Sequence, residues 1–438
     1  MKKSLLLVVA LVFAFAYNAS AQIKGQEMEQ YRRSSLCMVM LEDPNLDPEA
    51  AKIVRETFMN NPLPAKYNDH CVGKEVCSFS FNDIEVSQED KDAYRAFIGK
   101  KPEANGVFAE LGKELLGELV QLDPLREEAP AAAWKYLMTN DFAKKVAWKW
   151  FGVDNNEVNF DLIQERAVMN ATELDKQAAA EATTGRSVEQ YIMDNGGFEV
   201  ISNTFIPVTR FGYKTAEEMA NEVEKQAHFY AAFIPLPPAQ QAAKLAGTAA
   251  AMVIKGIGGY FVKTNTYLYR LKWNDEVYMA AGQAGRDVEK FKALDCFELE
   301  FVGDETAHAS TAQQKGTDEE VIARATVRAI DKALAKLEKK YEVFRTKTPL
   351  ATVTPTMTAY IGTKECVQKG DKYEILMREI DPKTNKETYK SIGKITVDIV
   401  GNTLGELNDD DKASQDPFTT FKGKAPKKAT SGLLIRQL

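Results

Sequence analysis

Residues Tyr260 to Trp273 read YFVKTNTYLYRLKW. Aromatic and β-branched side chains dominate this run, as in a pleated, half-buried strand, and Asn274-Asp275 supplies a turn into Val277-Tyr278-Met279. The spacing therefore predicts a β-hairpin. Downstream, Phe297-Glu298-Leu299-Glu300-Phe301 alternates strictly and adds a strand. Thr317 with Glu320 three residues on is a capping-box signature, opening a long helix that carries Ile322, Ile330, Leu334, Leu337 and Tyr341. The charged face of that helix, including Arg324, Asp331 and Glu338, reads as solvated.

Upstream, Asn195-Gly196-Gly197 marks a change of period, after which Phe198 to Ile201 and Thr204 to Val208 read as strand. Thr215 with Glu218 repeats the capping box and opens a helix bearing Met219, Val223, Phe229 and Tyr230; His228 within it reads as a partly buried structural histidine. Pro235-Leu236-Pro237-Pro238 breaks the chain before an Ala-rich stretch, Ala239 to Ile254. Lys244 and Lys255 bracket only ten uncharged residues there, too few to span a bilayer, which takes ~20. The glycines Gly256, Gly258 and Gly259 follow this helix and do not open one, so they are no phosphate loop. A tightly packed or membrane-apposed small-residue helix is the expected account.

These signals make 196–347 an α+β domain. Beyond it, Thr354 to Ile361, Tyr373-Ile375-Met377, Ile395-Val397-Ile399 and Leu433-Leu434-Ile435 read as strands, with Gly393 at a bend or bulge, so 348–438 is expected to be an SH3-like β-barrel of five or six strands. Toward the N-terminus, 106–195 is expected to be helical: Leu111, Leu115, Leu119 and Leu122 share one face, Trp134, Trp148, Trp150 and Phe151 follow as core, and a further run extends from Leu162 to Ala182. Residues 22–105 show no long periodicity and read as an irregular N-terminal region. The expected fold class is α+β and multidomain, with a helix-rich N-terminal half, an α+β middle domain and a C-terminal barrel.

Met1-Lys2-Lys3, the apolar run Leu5 to Ala16 and Ala19-Ser20-Ala21 have the form of a secretory signal peptide, residues 1–21, cleaved after Ala21. Removing it takes two lysines from a chain of net charge −7, leaving −9, an acidic balance that excludes a general nucleic-acid binder. Five cysteines remain in an exported chain, and Cys71 and Cys77, enclosing Val-Gly-Lys-Glu-Val, are the expected local disulfide. His70 beside Cys71 matches no zinc spacing, and the chain's only other histidines are His228 and His308. Asp154, Asn156 and Glu165 take positions 1, 3 and 12 of a calcium loop, but Val158 and Asn159 stand where a ligand and the turn glycine belong, so the segment reads as a polar interhelical loop. Asp409-Asp410-Asp411 reads as another solvated loop. No nucleophile elbow, zincin or kinase motif occurs. No catalytic residue, metal ligand or cofactor is assigned.

Lys149-Trp150-Phe151, Phe160 to Arg166, Asn170-Ala171-Thr172 and Ser202 to Phe205, continuing through Tyr267 to Leu271, Arg328 to Leu334 and Phe344 to Leu350, resemble an uncharacterised family of secreted Bacteroidetes proteins. The resemblance implies location and layout, and no activity. Gly362 to Glu365, Lys369 to Ile375, Ile392 to Ile395 and Gly432 to Ile435 are similar to the C-terminal barrel of flagellar assembly protein T, which implies a barrel used for packing or protein contact. The leading expectation is a noncatalytic periplasmic or outer-membrane-associated cell-envelope protein, acting through contacts with envelope proteins and possible peripheral membrane contact. The alternatives are a secreted hydrolase with a carboxylate-based site between the helical and middle domains, with His228 or His308 as candidate participants, and a carrier of a lipid or small apolar ligand.

Overall fold

Strand β1, Ser35–Leu41, is buried along its whole length. It lies at the centre of the architecture, with a parallel neighbour on each side and helices over both faces, so every side chain must be buried and no alternation survives to be read. The computed structural model describes residues 34–42, 46–64, 67, 70–77, 84–99, 128–170, 197, 198, 200–232, 234, 236–311, 316–345, 347–365, 367–380, 387–401, 418–427, 429 and 431–438. After β1 come α1 (Pro48–Asn60), β2 (Cys71–Cys77), α2 (Gln88–Phe97), α3 (Glu128–Thr139), α4 (Phe142–Trp150), α5 (Asp161–Asn170), β3 (Thr204–Thr215), α6 (Ala216–Ala232), α7 (Pro237–Ile257) and β4 (Tyr260–Lys272). Next are α8 (Asp275–Ala284), α9 (Val288–Lys292), β5 (Glu298–Thr311), α10 (Asp318–Lys340), β6 (Thr348–Thr352), β7 (Met357–Ala359), β8 (Lys372–Ile380), β9 (Glu387–Ile399), β10 (Thr419–Lys422) and β11 (Leu434–Gln437). Residues 32–377 with 390–438 make one compact unit; the described ends of β8 and β9, 378–380 and 387–389, fall outside it.

The fold is α+β and multidomain. One mixed sheet has the order β2-β1-β3-β4-β5, parallel from β2 to β3 and antiparallel from β3 to β5. Alternation along β4 sends Tyr267, Tyr269 and Leu271 to one face and Val262 and Leu268 to the other. The first face is covered by α3, α4, α8 and α9, through Leu137, Phe142, Trp150 and Phe291. On the second lie α1 and α10, with Phe58, Ile322, Ile330, Leu334 and Leu337. Trp150 is fully buried, and its indole N–H donates to Thr204 Oγ1 at 3.0 Å, tying α4 to the first residue of β3.

This sheet corrects several expectations. Residues 22–105 are not an irregular region apart: they supply β1 and β2, which share the sheet with β3 to β5 from 196–347, and the helices α3 and α4 of 106–195 pack directly on it. The strand expected at Phe198 starts at Thr204, residues 200–202 being helical. No hairpin returns at Val277, because Asn274 Oδ1 accepts the Val277 N–H at 3.0 Å and caps α8; β4 pairs instead with β3 and β5. On α10 the capping box forms as read, yet Arg324, Asp331 and Glu338 are buried, because the helix is covered from more than one side.

Beyond α10 the chain closes a six-stranded barrel, in the order β10-β7-β6-β11-β8-β9, around its own core of Leu350, Ile375, Ile395, Val397, Phe421 and Ile435. Gly393 sits inside β9 with no break; a Cβ there would meet Pro426 Cγ at 2.7 Å, so close packing, and not a bend, requires glycine. The signal-like segment 1–21, the Leu111 to Leu122 face, the continuation of α5 to Ala182, Cys366 and Asp409 to Asp411 lie outside the described residues.

Candidate functional site

The residues singled out by sequence do not converge. Cys71 and Cys77 are free thiols at opposite ends of β2, six steps of ~3.3 Å apart, far beyond a disulfide's reach of ~7 Å between Cα atoms. The expected bridge is thus absent, because Val72 to Val76 pair with β1 as strand and do not loop back. Burial pushes the Cys37 thiol to about 12 and the Cys77 thiol to about 11, so neither presents a thiolate.

His70 is buried before β2, 3.4 Å from Ser35 Oγ, with its carbonyl accepting the Leu36 N–H. His228 is exposed on α6 and not partly buried, since that helix face has nothing packed over it among the described residues. His308 sits on β5 opposite Lys263, where partial burial, then Lys263, holds its pKa down. The histidines belong to separate elements. In the calcium-like loop, Asn156 takes a left-handed conformation (φ 58°) and accepts from Lys292 Nζ at 3.1 Å, while Glu165 pairs with Arg166 at 3.3 Å. Among the described residues no three metal-ligating side chains gather.

The hydrolase reading places a cleft between the helical and middle domains; among the described residues Trp150, Phe151, Phe291 and Trp273 pack there as core. A cavity of about 250 Å³ lies elsewhere, where the end of α10 meets the barrel, lined by Glu338, Arg345, Glu365, Asp371, Tyr373 and Gln437. Its ionisable groups are engaged in structure. Tyr67 donates to Glu338; Arg345 donates to the carbonyls of Glu338 and Lys339; Glu365 accepts the Gly362 N–H at 2.7 Å; Asp371 accepts the Gln368 N–H at 2.9 Å. Arg436 joins Glu374 of β8 to Glu342 after α10, at 2.5 and 3.1 Å. Beside them Lys347 is buried, and desolvation, with Arg436 adding like-charge repulsion, holds its pKa down at about 8. These charges clasp the barrel to the α10 end.

Among the described residues large apolar side chains stay exposed on α6 and α7, as they do on α8 at Tyr278 and Met279 and on the barrel at Tyr360 and Ile399. Thr215 Oγ1 accepts the Glu218 N–H at 3.1 Å and Glu218 accepts the Thr215 N–H at 2.8 Å, fixing the start of α6; Pro237 and Pro238 start α7. The helices run back on each other as an arm between β3 and β4, joined by Thr248 Oγ1 to Glu224 at 2.9 Å and by Gly247, where a Cβ would collide with Ala227. So α7 turns its smallest residues, Ala243, Gly247 and Ala251, toward α6. Its larger apolar residues point away: Leu245, Met252 and Val253 are 65, 68 and 64% exposed. The sequence showed an Ala-rich helix; the spacing of its few large residues was the signal that went unused. No described helix is long and apolar enough to cross a membrane. No family model matches the chain, and no curated protein is significantly similar to it.

Proposed function

We propose that this is an exported cell-envelope protein, noncatalytic, that works through protein contacts made by the α6–α7 arm. The observation that carries the reading is the outward face of α7: Leu245, Met252 and Val253 stay exposed on a helix that packs on α6 through small residues and Thr248. Residues 1–21 act as a signal peptide cleaved after Ala21, and the destination is the periplasm or the outer membrane, as for the secreted Bacteroidetes family the chain resembles. Cys37 and Cys77 suit that compartment, being buried and protonated and so resistant to oxidation. The closed barrel is taken as SH3-like, a packing module held by the Arg436 clasp.

The arm can be removed without opening the sheet, because Thr215 and Tyr260 are ladder partners that a short turn can join. The test is crosslinking capture from the native envelope with the whole chain and with 216–259 replaced by such a turn. Partners recovered with the whole chain and lost with the excised one support the reading. Identical recovery from both, with both shown to be folded, overturns it.

A further inference from the structure

We infer that the occupant of the outward face of α7 is a second copy of this chain, docked antiparallel through the same face; this deepens the contact reading above and rests on it. Ala242, Leu245, Ala249, Met252 and Gly256 recur at alternating spacings of three and four residues, the seam that a second helix fills by knobs-into-holes packing. Helical spacing puts this seam on the side opposite Ala243, Gly247 and Ala251, which meet α6.

The sizes along the seam select the partner. Setting two α7 helices antiparallel about a two-fold axis at residue 247 places Leu245 opposite the second copy's Ala249 and Met252 opposite its Ala242. Each layer then joins one large and one small side chain. A parallel pair, by contrast, stacks Leu245 on Leu245 and leaves the Ala layers empty. Charge agrees: α7 contains no acidic residue, and in this register Lys244 faces Ala250 and Lys255 faces Ala239, so no layer opposes like charges. Leu236, exposed at the tip of one arm, reaches Gly258 at the base of the other.

A helix of 21 residues is ~31 Å long and ~10 Å wide, so the two facing stripes cover roughly 600 Å² in total, below the ~1,200 Å² of a standard stable interface. The dimer is therefore weak, reversible and concentration-dependent.

Sedimentation velocity of the purified mature chain over a range of concentrations tests this. The expected result is a monomer–dimer equilibrium that Ala249→Leu weakens at least tenfold, by setting Leu against Leu, and that the double variant L245A/A249L restores by exchanging large and small within one layer. Binding to neutral phospholipid vesicles by monomeric protein, or failure of the double variant to restore a dimer lost in Ala249→Leu, overturns the proposal. A chain that stays monomeric at ~100 µM, while arm-dependent capture from the envelope persists, removes the second copy as partner and leaves the contact reading standing; loss of arm-dependent capture removes that reading itself.

Discussion

Two long helices of this chain, α10 and α7, are nearly equal in length and opposite in design. α10 opens with a full capping box, closes with Lys339 and Lys340 in its last turn, and buries Ile322, Ile330, Leu334 and Leu337 against the sheet. α7 has no side-chain cap, starts on two prolines, and meets α6 through alanine, glycine and Thr248 while Leu245, Met252 and Val253 stay exposed. The first helix is explained by the folding of its own chain. Folding of the described chain does not account for the apolar residues of the second, and the contact proposal above rests on them.

That contrast can be broken most sharply by truncation. Leu337→Ala in α10 is expected to cost ~2–5 kcal/mol, measured by urea unfolding, because Leu337 is fully buried. Leu245→Ala in α7 is expected to change stability by less than ~0.5 kcal/mol. Equal costs would show that α7 belongs to the core. The next effect in size concerns the clasp at the end of α10. Below pH 8 the buried Lys347 ammonium is charged in both folded and unfolded states and is penalised in the fold. Between pH 8 and 10.5 the folded protein releases a proton that the unfolded chain keeps, so stability carried by this group rises by up to ~3 kcal/mol. Cys37 and Cys77 act in the opposite sense above pH 9, staying protonated in the fold, so the readout is the difference between wild type and Lys347→Met. That difference should climb from pH 8 to 10, and a flat one contradicts the assignment.

Smaller effects sharpen the same comparison. Thr204→Val leaves the buried Trp150 N–H without its acceptor and is expected to cost ~1–2 kcal/mol of global stability. Thr317→Ala removes the cap of α10 and is expected to cost ~1 kcal/mol globally. Thr215→Ala, the matching change at the arm, is expected to speed amide exchange in α6 and α7 while the global unfolding midpoint stays within error.

Local chemistry was legible in the sequence and global placement was not. Thr215 with Glu218 and Thr317 with Glu320 announced helix starts because a capping box is settled within four residues. β4 was readable from its own aromatic and β-branched run, but its partners were not, since Asn274 suits a helix cap as well as a turn. β1 was missed because a central parallel strand carries no alternation, and β2 because Val-Gly-Lys-Glu-Val between cysteines reads as a loop until a neighbour pairs with it. Of the candidate surface, composition gave the small-residue helix; which of its faces met α6 depended on the close approach at Gly247, a tertiary fact.

The most direct test of the account is a photoreactive residue placed at Met252 in the full-length protein in its native cells, with the exposed Lys332 of α10 as the control position. The account predicts an adduct of twice the chain's mass from position 252 and none from position 332. Equal yields from the two positions, or no adduct from 252 in folded protein, would contradict it.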